Sequence, residues 1–472
     1  MRKWLLLSAT SVGLMGTAAA QAPAPATPPL PRGLLGVPTQ PSTYLGGHNM
    51  MNQDGAELPP SPVTPPPGTM VVHLNGRMLT FFGVEGSSAS NVGGNKLAPE
   101  QFIGQLRLYP GVDAQAANGL RYGAIVEIRQ NFIGQTYGLS ITPTAGTTNN
   151  GAGSNYSSSP SAASSASTLY VRREAIYVGF NKFGIVRLGQ DDGPFSQLDN
   201  GITTVQFGTA GWNGRGPDFI PTTAQPTFPF WSDVGAEYTV SKIVYFSPRF
   251  AGFDFAASFA PNNGANNATA CPVAAAGCVA LSSASNANFG GAARPTNWYQ
   301  VMGRYRGNFS GVGIYAIAGY SGSGHVNAPG TQFNGFSVGD AGLALTYAGF
   351  TIGSNVLWGD YDGAVALQPT GGARAIAWLV GAQYVLGPLG LGVSYYNYQS
   401  QGSAAMVGKS QRYDDGFVAG INYVVAPGLT GYAEYLYGQV HQGGVNLLGV
   451  GTAAEHNDVH SQALILGTRL QW

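Results

Sequence analysis

From Thr69 onward the chain alternates between two kinds of side chain. Val72, Leu74, Met78 and Phe82 fall on one side, and His73, Asn75 and Arg77 on the other. The same split separates Phe102, Leu106 and Leu108 from Gln105, Arg107 and Tyr109, and Leu120, Tyr122, Ala124, Val126 and Ile128 from Arg121, Glu127 and Arg129. A period of two is that of a strand, in which successive side chains point to opposite faces. The last segment repeats it, with Trp472, Leu470, Thr468, Leu466 and Leu464 against Gln471, Arg469 and Gly467. Alternation alone leaves two folds open. In a soluble sandwich the apolar face meets a core, and in a membrane barrel it meets lipid.

The connections favour the barrel. The pattern predicts strands at 69 to 84, 100 to 110, 119 to 133, 168 to 180, 183 to 190, 234 to 247, 250 to 261 and 297 to 309. It predicts further strands at 311 to 322, 335 to 348, 350 to 361, 373 to 386, 388 to 400, 412 to 425, 428 to 441 and 460 to 472, about sixteen in all, and a closed bacterial barrel needs an even number. Short links such as Asn181-Lys182, Ala348-Gly349, Gly387-Pro388 and Ala426-Pro427-Gly428 alternate with long ones rich in Ser, Thr, Asn and Gly, as at 134 to 167 and 262 to 296. Short turns on one side and long loops on the other are the habit of outer-membrane barrels. The parity places both ends of the barrel on the short-turn, periplasmic side.

Composition agrees. Only 9% of the 472 residues are charged, against about 25% in an ordinary soluble domain. After the amino-terminal stretch there is no run of about 18 apolar residues that could span as a helix, so a membrane protein of this composition is a barrel. Seventy glycines and 11% aromatic residues suit tight turns and aromatic girdles. Trp472 suits the lipid and water boundary as an anchor. The net charge is zero, which gives no global attraction for nucleic acid.

Ahead of the barrel, residues 1–20 have the basic start, apolar centre and Ala18-Ala19-Ala20 site of a cleaved secretory signal. Residues 21–68 are proline-rich and lack apolar periodicity, which predicts an extended periplasmic arm. The barrel domain is thus expected at 69–472. Cys271 and Cys278 share one long loop. Export to an oxidising compartment favours a local disulfide between them, and two thiols are too few for a four-ligand metal site.

Three motifs occur in order: Val171-Arg172-Arg173-Glu174-Ala175-Ile176-Tyr177-Val178-Gly179-Phe180 followed by Phe183-Gly184-Ile185-Val186-Arg187-Leu188-Gly189-Gln190; Val244-Tyr245-Phe246-Ser247-Pro248-Arg249-Phe250-Ala251-Gly252-Phe253; and Gly467-Thr468-Arg469-Leu470-Gln471-Trp472. From about residue 69 to the end the chain resembles the Gram-negative general porins. Gln190 stands where that family usually has Arg, and Trp472 where it has Phe. The resemblance implies a water-filled channel, a third long loop folded into the lumen with acidic groups facing a basic wall, and a homotrimer joined through the early strands. Small residues such as Gly104 and Ala124 would let neighbouring walls approach. It also implies outer-membrane lipid as surroundings, and the barrel-assembly machinery as a partner of the last strand.

Candidate pore-lining residues follow from the polar faces. Arg77, Arg107, Arg121, Arg129, Arg173 and Arg187 point inward, and the connection after the fifth strand carries Asp191, Asp192, Asp199 and Asp218 among Phe195, Phe207, Trp212, Phe219 and Trp231. Opposed charges across narrow water order that water and turn away greasy solutes. The plainer reading, arginines as a solvated polar face, stays open. Catalysis and cofactors have no support, since the six histidines form no metal-binding pattern and no phosphate loop opens a helix. His456, Asp458 and His460 are the nearest approach to a cluster, read as loop solvation. The expected function is passive diffusion of small hydrophilic solutes and ions; a substrate-specific channel, for instance for sugars, and a tether from outer membrane to cell wall are the alternatives. Deleting residues 22–67 should leave single-channel conductance in a planar bilayer within a small factor, and a severalfold rise would make the arm a plug.

Overall fold

The computed structural model describes residues 65–92, 96–133, 169–198, 241–262, 296–324, 331–362, 370–402, 412–448 and 456–472, with short pieces of the chain between 209 and 230, 326–328 and 367–368. The signal segment 1–20, nearly all of the arm, Asp199, Cys271 and Cys278 lie outside the described residues.

The described residues form eighteen strands. They are β1 Thr69–Ser87, β2 Glu100–Gln115, β3 Arg121–Ile133, β4 Tyr170–Phe180, β5 Gly184–Gln190, β6 Ser241–Phe246, β7 Phe253–Asn262, β8 Thr296–Phe309 and β9 Val312–Gly322. There follow β10 Val326–Ala328, β11 Thr331–Phe333, β12 Ser337–Tyr347, β13 Phe350–Asp360, β14 Ala375–Leu386, β15 Leu389–Ser400, β16 Arg412–Ala426, β17 Leu429–Gln442 and β18 Asp458–Gln471. Sixteen close into one antiparallel barrel, each paired with its chain neighbour and β1 with β18, while β10 and β11 form a separate hairpin in the link from β9 to β12. Each expected strand has a counterpart within a few residues, apart from 234–240, which lies outside the described residues. The small hairpin was not expected; three-residue strands are too short to show a period.

No described helix is long and apolar enough to cross a membrane. In lipid an unpaired backbone N–H or C=O has no water to turn to, so only closure removes the two sheet edges. The seam runs from Arg77 opposite Gln471 to Ser87 opposite Ser461. It ends where Gly76 and Trp472 exchange backbone hydrogen bonds of 3.1 and 3.0 Å. Short turns are made from residues that accept a positive φ: Ser310-Gly311 has φ of 49° and 87°, and Ala348-Gly349 has 48° and 85°. Positive φ at both centres matches the twist of the flanking strands.

The outer face is the apolar one. Val72, Leu74, Phe102, Ile352, Leu466 and Leu470 are exposed there, with Phe183, Phe250, Phe309, Tyr347 and Phe350 near the short turns and Tyr299, Tyr320, Trp358 and Trp378 near the long loops. The inner face departs from a simple polar lining. Leu79, Phe81 and Ile103 point inward yet are buried, together with Phe195, Leu198, Trp212, Phe219, Phe228 and Phe230 from the link between β5 and β6. An apolar inner residue is stable once that link takes the place of water over it.

Trp472 lies over Gly76, where a Cβ would stand 2.3 Å from the indole. Gly76→Leu should push the ring off the wall and lower the temperature at which the folded barrel opens in detergent, at a cost of about 1–3 kcal/mol. Trp472→Ala should do the same. The two changes together should cost little more than either alone; full additivity would show that the ring does not brace the seam.

Candidate functional site

The register assembles a basic ladder. Arg77 on β1 stands opposite Arg107 on β2, which stands opposite Arg129 on β3. Side chains directly opposite on one face lie about 5 Å apart at Cβ, so the three guanidinium groups share one inner wall. All three are buried. Like charges so close destabilise each other unless carboxylates are interposed.

Glu127 supplies that carboxylate. It is fully buried and takes the Nε of Arg129, the Nε of Arg173 at 2.5 Å and Nη1 of Arg172 at 3.3 Å, with Nη1 of Arg107 at 3.7 Å. Asp192, just past β5, binds Nη2 of Arg172 at 2.9 Å and Nη1 of Arg173 at 2.6 Å. Asp191 binds Nη1 of Arg187 at 3.0 Å, and its carbonyl accepts from Nζ of Lys242. Burial by itself would raise the Asp192 carboxyl, but the charges of Arg172 and Arg173 outweigh it and hold the group below its ordinary range. Asp192 therefore stays ionised at neutral pH and pins the start of the loop to the wall.

Arg172 was not among the expected residues, because strict alternation points it toward lipid. The pairing of β3 with β4 slips between Glu127 and Ile128, with Glu127 opposite Arg173 and Ile128 opposite Val171. This β-bulge leaves Arg172 as the extra residue, and two consecutive arginines turn inward together. Lys242 and Glu127 join the cluster through tertiary contact. Seven cations (Arg77, Arg107, Arg129, Arg172, Arg173, Arg187 and Lys242) thus surround three carboxylates, Glu127, Asp191 and Asp192.

Other expected residues lie elsewhere. Arg121 shares the inner face but sits eight residues before Arg129, about 26 Å along the strand, beside Asp113 and Tyr177 near the short turns. Asp218 occupies a 3-10 turn, Gly216–Phe219, that lies against β1 and β18. Across the barrel, two acidic groups that the described residues show in contact with the loop belong to strands. Glu434 on β17 accepts from the backbone N–H of Thr209 at 2.6 Å and from its hydroxyl. Asp414 on β16 takes Nε of Arg412 at 2.9 Å and the N–H of Thr227 at 2.8 Å. Trp212 fits between them over the facing pair Gly416 and Gly438, where a Cβ would come within 2.7 Å of the indole. Its Nε1 donates to the Phe417 carbonyl at 3.3 Å. On the other side Phe195 N donates to Gln300 Oε1 at 3.3 Å.

Near the long-loop end, Asp362 follows β13 and accepts from Ser400 Oγ at 2.8 Å and from the Tyr398 hydroxyl at 3.3 Å. Burial pushes its carboxyl up to about 7 against the pull of Ser400, Arg412 and Tyr398.

An antiparallel barrel of sixteen strands, apolar outside and charged within, defines a transmembrane channel. The chain belongs to the Gram-negative porin family, whose model matches residues 71–442. It is thus an outer-membrane diffusion channel, and family and fold both point to a channel. None of the curated proteins matches it. Among solved structures it is similar to an anion-selective porin from Comamonas acidovorans, with 14% identity and a TM-score of 0.52 over 86% of this chain and 100% of that one. It is also similar to the outer membrane channel DcaP of Acinetobacter baumannii, with 10% identity and a TM-score of 0.51 over 85% of this chain and 97% of that one.

The Asp362 arrangement has a pH signature. Its folded carboxyl, at about 7, lies above the ordinary aspartate value of 3.8, so burial costs nothing below the lower value, and the parent loses stability as pH rises from the lower to the upper. Asp362→Asn should therefore gain in melting temperature relative to the parent between pH 4 and pH 8 in detergent. An unchanged difference between the two pH values would show that the carboxyl titrates normally.

Proposed function

We propose that this porin passes small hydrophilic solutes and ions through a narrowed waist, with a preference for anions. The observation that carries the reading is the ladder of Arg77, Arg107 and Arg129, extended by the bulged pair Arg172 and Arg173, in which cations outnumber carboxylates. The link after β5 narrows the lumen from the opposite side, held by Glu434, Asp414 and the Trp212 notch. The excess positive charge of this buried wall acts through its field, which favours anions over cations in the water beside it. Assembly as a homotrimer through the early strands, with small residues such as Gly104 and Ala124 at the contact, completes the reading. So does insertion by the barrel-assembly machinery acting on the last strand.

Selectivity should weaken with salt, because the Debye length falls from about 10 Å at 0.1 M to about 3 Å at 1 M. Replacing Arg107 and Arg129 together by Ser should shift the reversal potential at low salt toward cations and lower the anion-to-cation permeability ratio severalfold. If the double variant keeps the parent's reversal potential and conductance at low salt, the ladder does not line the path of the ions.

A further inference from the structure

The short-turn end of the barrel carries a second group of arginines, apart from those of the waist. Asp254 on β7 stands opposite Arg304 on β8. Arg304 grips it with Nε and Nη2, each at 2.8 Å, and Arg306, the next inward residue on β8, donates from Nη2 to Oδ2 at 2.7 Å. Nη1 of Arg304 donates to the Tyr315 hydroxyl on β9 at 3.1 Å. One carboxylate therefore serves two buried guanidinium groups.

A third arginine joins them from the turn between β6 and β7. That turn is fixed by its own bonds: Ala251 and Gly252 take φ of 48° and 92°, Phe250 and Phe253 exchange backbone hydrogen bonds of 2.8 Å, and Ser247 Oγ accepts from Phe255 N at 2.8 Å. The Gly252 carbonyl also takes the N–H of Arg306 at 2.8 Å, which ties the turn to β8. From this turn Arg249 reaches back and donates Nη2 to the Arg306 carbonyl. Arg249 is exposed and forms no ion pair among the described residues. Partial desolvation, and then the charges of Arg306 and Arg304, lower its proton affinity below the ordinary range. All three cations thus share one field.

The charges choose the ligand. Three guanidinium groups around one carboxylate leave an excess of two positive charges at the mouth, which a small dianion balances and a monoanion only halves. Arg304 and Arg306 are engaged with Asp254, whereas Arg249 keeps Nε and Nη1 for an oxyanion. The place is distinct from the waist. Arg187 stands level with Val244, Ser258 and Gln300 on the next three strands, and Arg304 lies four residues beyond Gln300, about 13 Å along the strand. Ala256 and Met302, which face each other and are fully buried, fill the interval.

We propose that the periplasmic mouth of the channel holds a second anion site, in which Arg249 contacts a small dianion, such as a phosphate monoester or a dicarboxylate, and Arg304 and Arg306 hold it by their field. It goes beyond the waist and rests on the proposed anion preference only for how its ligand arrives.

The test uses the full chain in planar bilayers at low salt, with chloride current recorded while sulfate, or methyl sulfate as a monoanion of similar shape, is added to one side. Orientation is read at the end of each record from avidin binding to a biotin on Ala426→Cys, in the short turn before β17. Sulfate should lower the current at severalfold smaller concentration from the periplasmic side than from the long-loop side, and at severalfold smaller concentration than methyl sulfate. Arg249→Ser should raise the half-effective periplasmic concentration about tenfold, as expected for a lost charge-assisted contact, and leave the effect from the long-loop side unchanged. Asp254→Asn, which adds one more positive charge, should lower it severalfold. Equal action from both sides, equal action of the two anions, or no response to Arg249→Ser would overturn the proposal. Should Arg249→Ser fail to insert, Asp254→Asn decides: weaker or unchanged sulfate action there would remove the site. The variant with Arg107 and Arg129 replaced by Ser separates the two readings. Periplasmic sulfate should act on it as on the parent, even if the waist proves to have no anion preference, and loss of that action would show that the mouth is not a site of its own.

Discussion

The demand that no backbone polar group be left unpaired in lipid governs the rest of this structure. Each barrel strand must find two partners, so the sheet must close, and closing requires β1 to meet β18 at the Gly76 and Trp472 seam. Once closed, the wall has one face for lipid and one for the lumen, and the period of two sorts every side chain between them. The apolar exterior and the charged interior are thus two readings of one geometric rule.

The interior shows what it takes to hold charge inside such a wall. Three arginines in register would repel one another, and Glu127 and Asp192 make the arrangement possible by contacting four guanidinium groups between them. Removing a partner from a buried ion network leaves the other uncompensated, which costs far more than losing an exposed pair. The same contacts fix the start of the loop after β5, so the loop's position and the wall's charge are set together. On the far side the loop is held differently, by Glu434 and Asp414 accepting from its backbone and by the flat space over Gly416 and Gly438.

The outer wall is not uniform either. At the long-loop end the outward positions include Asp415, Gln439, Asp458 and His460 on β16 to β18, and an ion pair of Asp360 with Arg374 beside β13 and β14. Pore and wall then present two separate chemistries on opposite sides of a single sheet.

The sequence by itself determined the class of fold, the number of barrel strands and the side on which most residues lie, because alternation and turn residues are local and each strand repeats the signal. Val72, Leu470 and Arg107 could be placed from their neighbours in the chain alone. What only the tertiary structure decided depended on register and on contacts between distant segments. Arg77, Arg107 and Arg129 form a ladder because three strands are aligned to the residue, and Arg172 turns inward because β4 bulges against β3. Arg121, equally inward by its parity, stands far down the same strand, and Leu79 and Phe81 face the lumen because a distant loop covers them. Parity along a strand is written in the sequence, but height relative to a neighbouring strand is fixed by pairing between residues far apart in the chain, which no local pattern records.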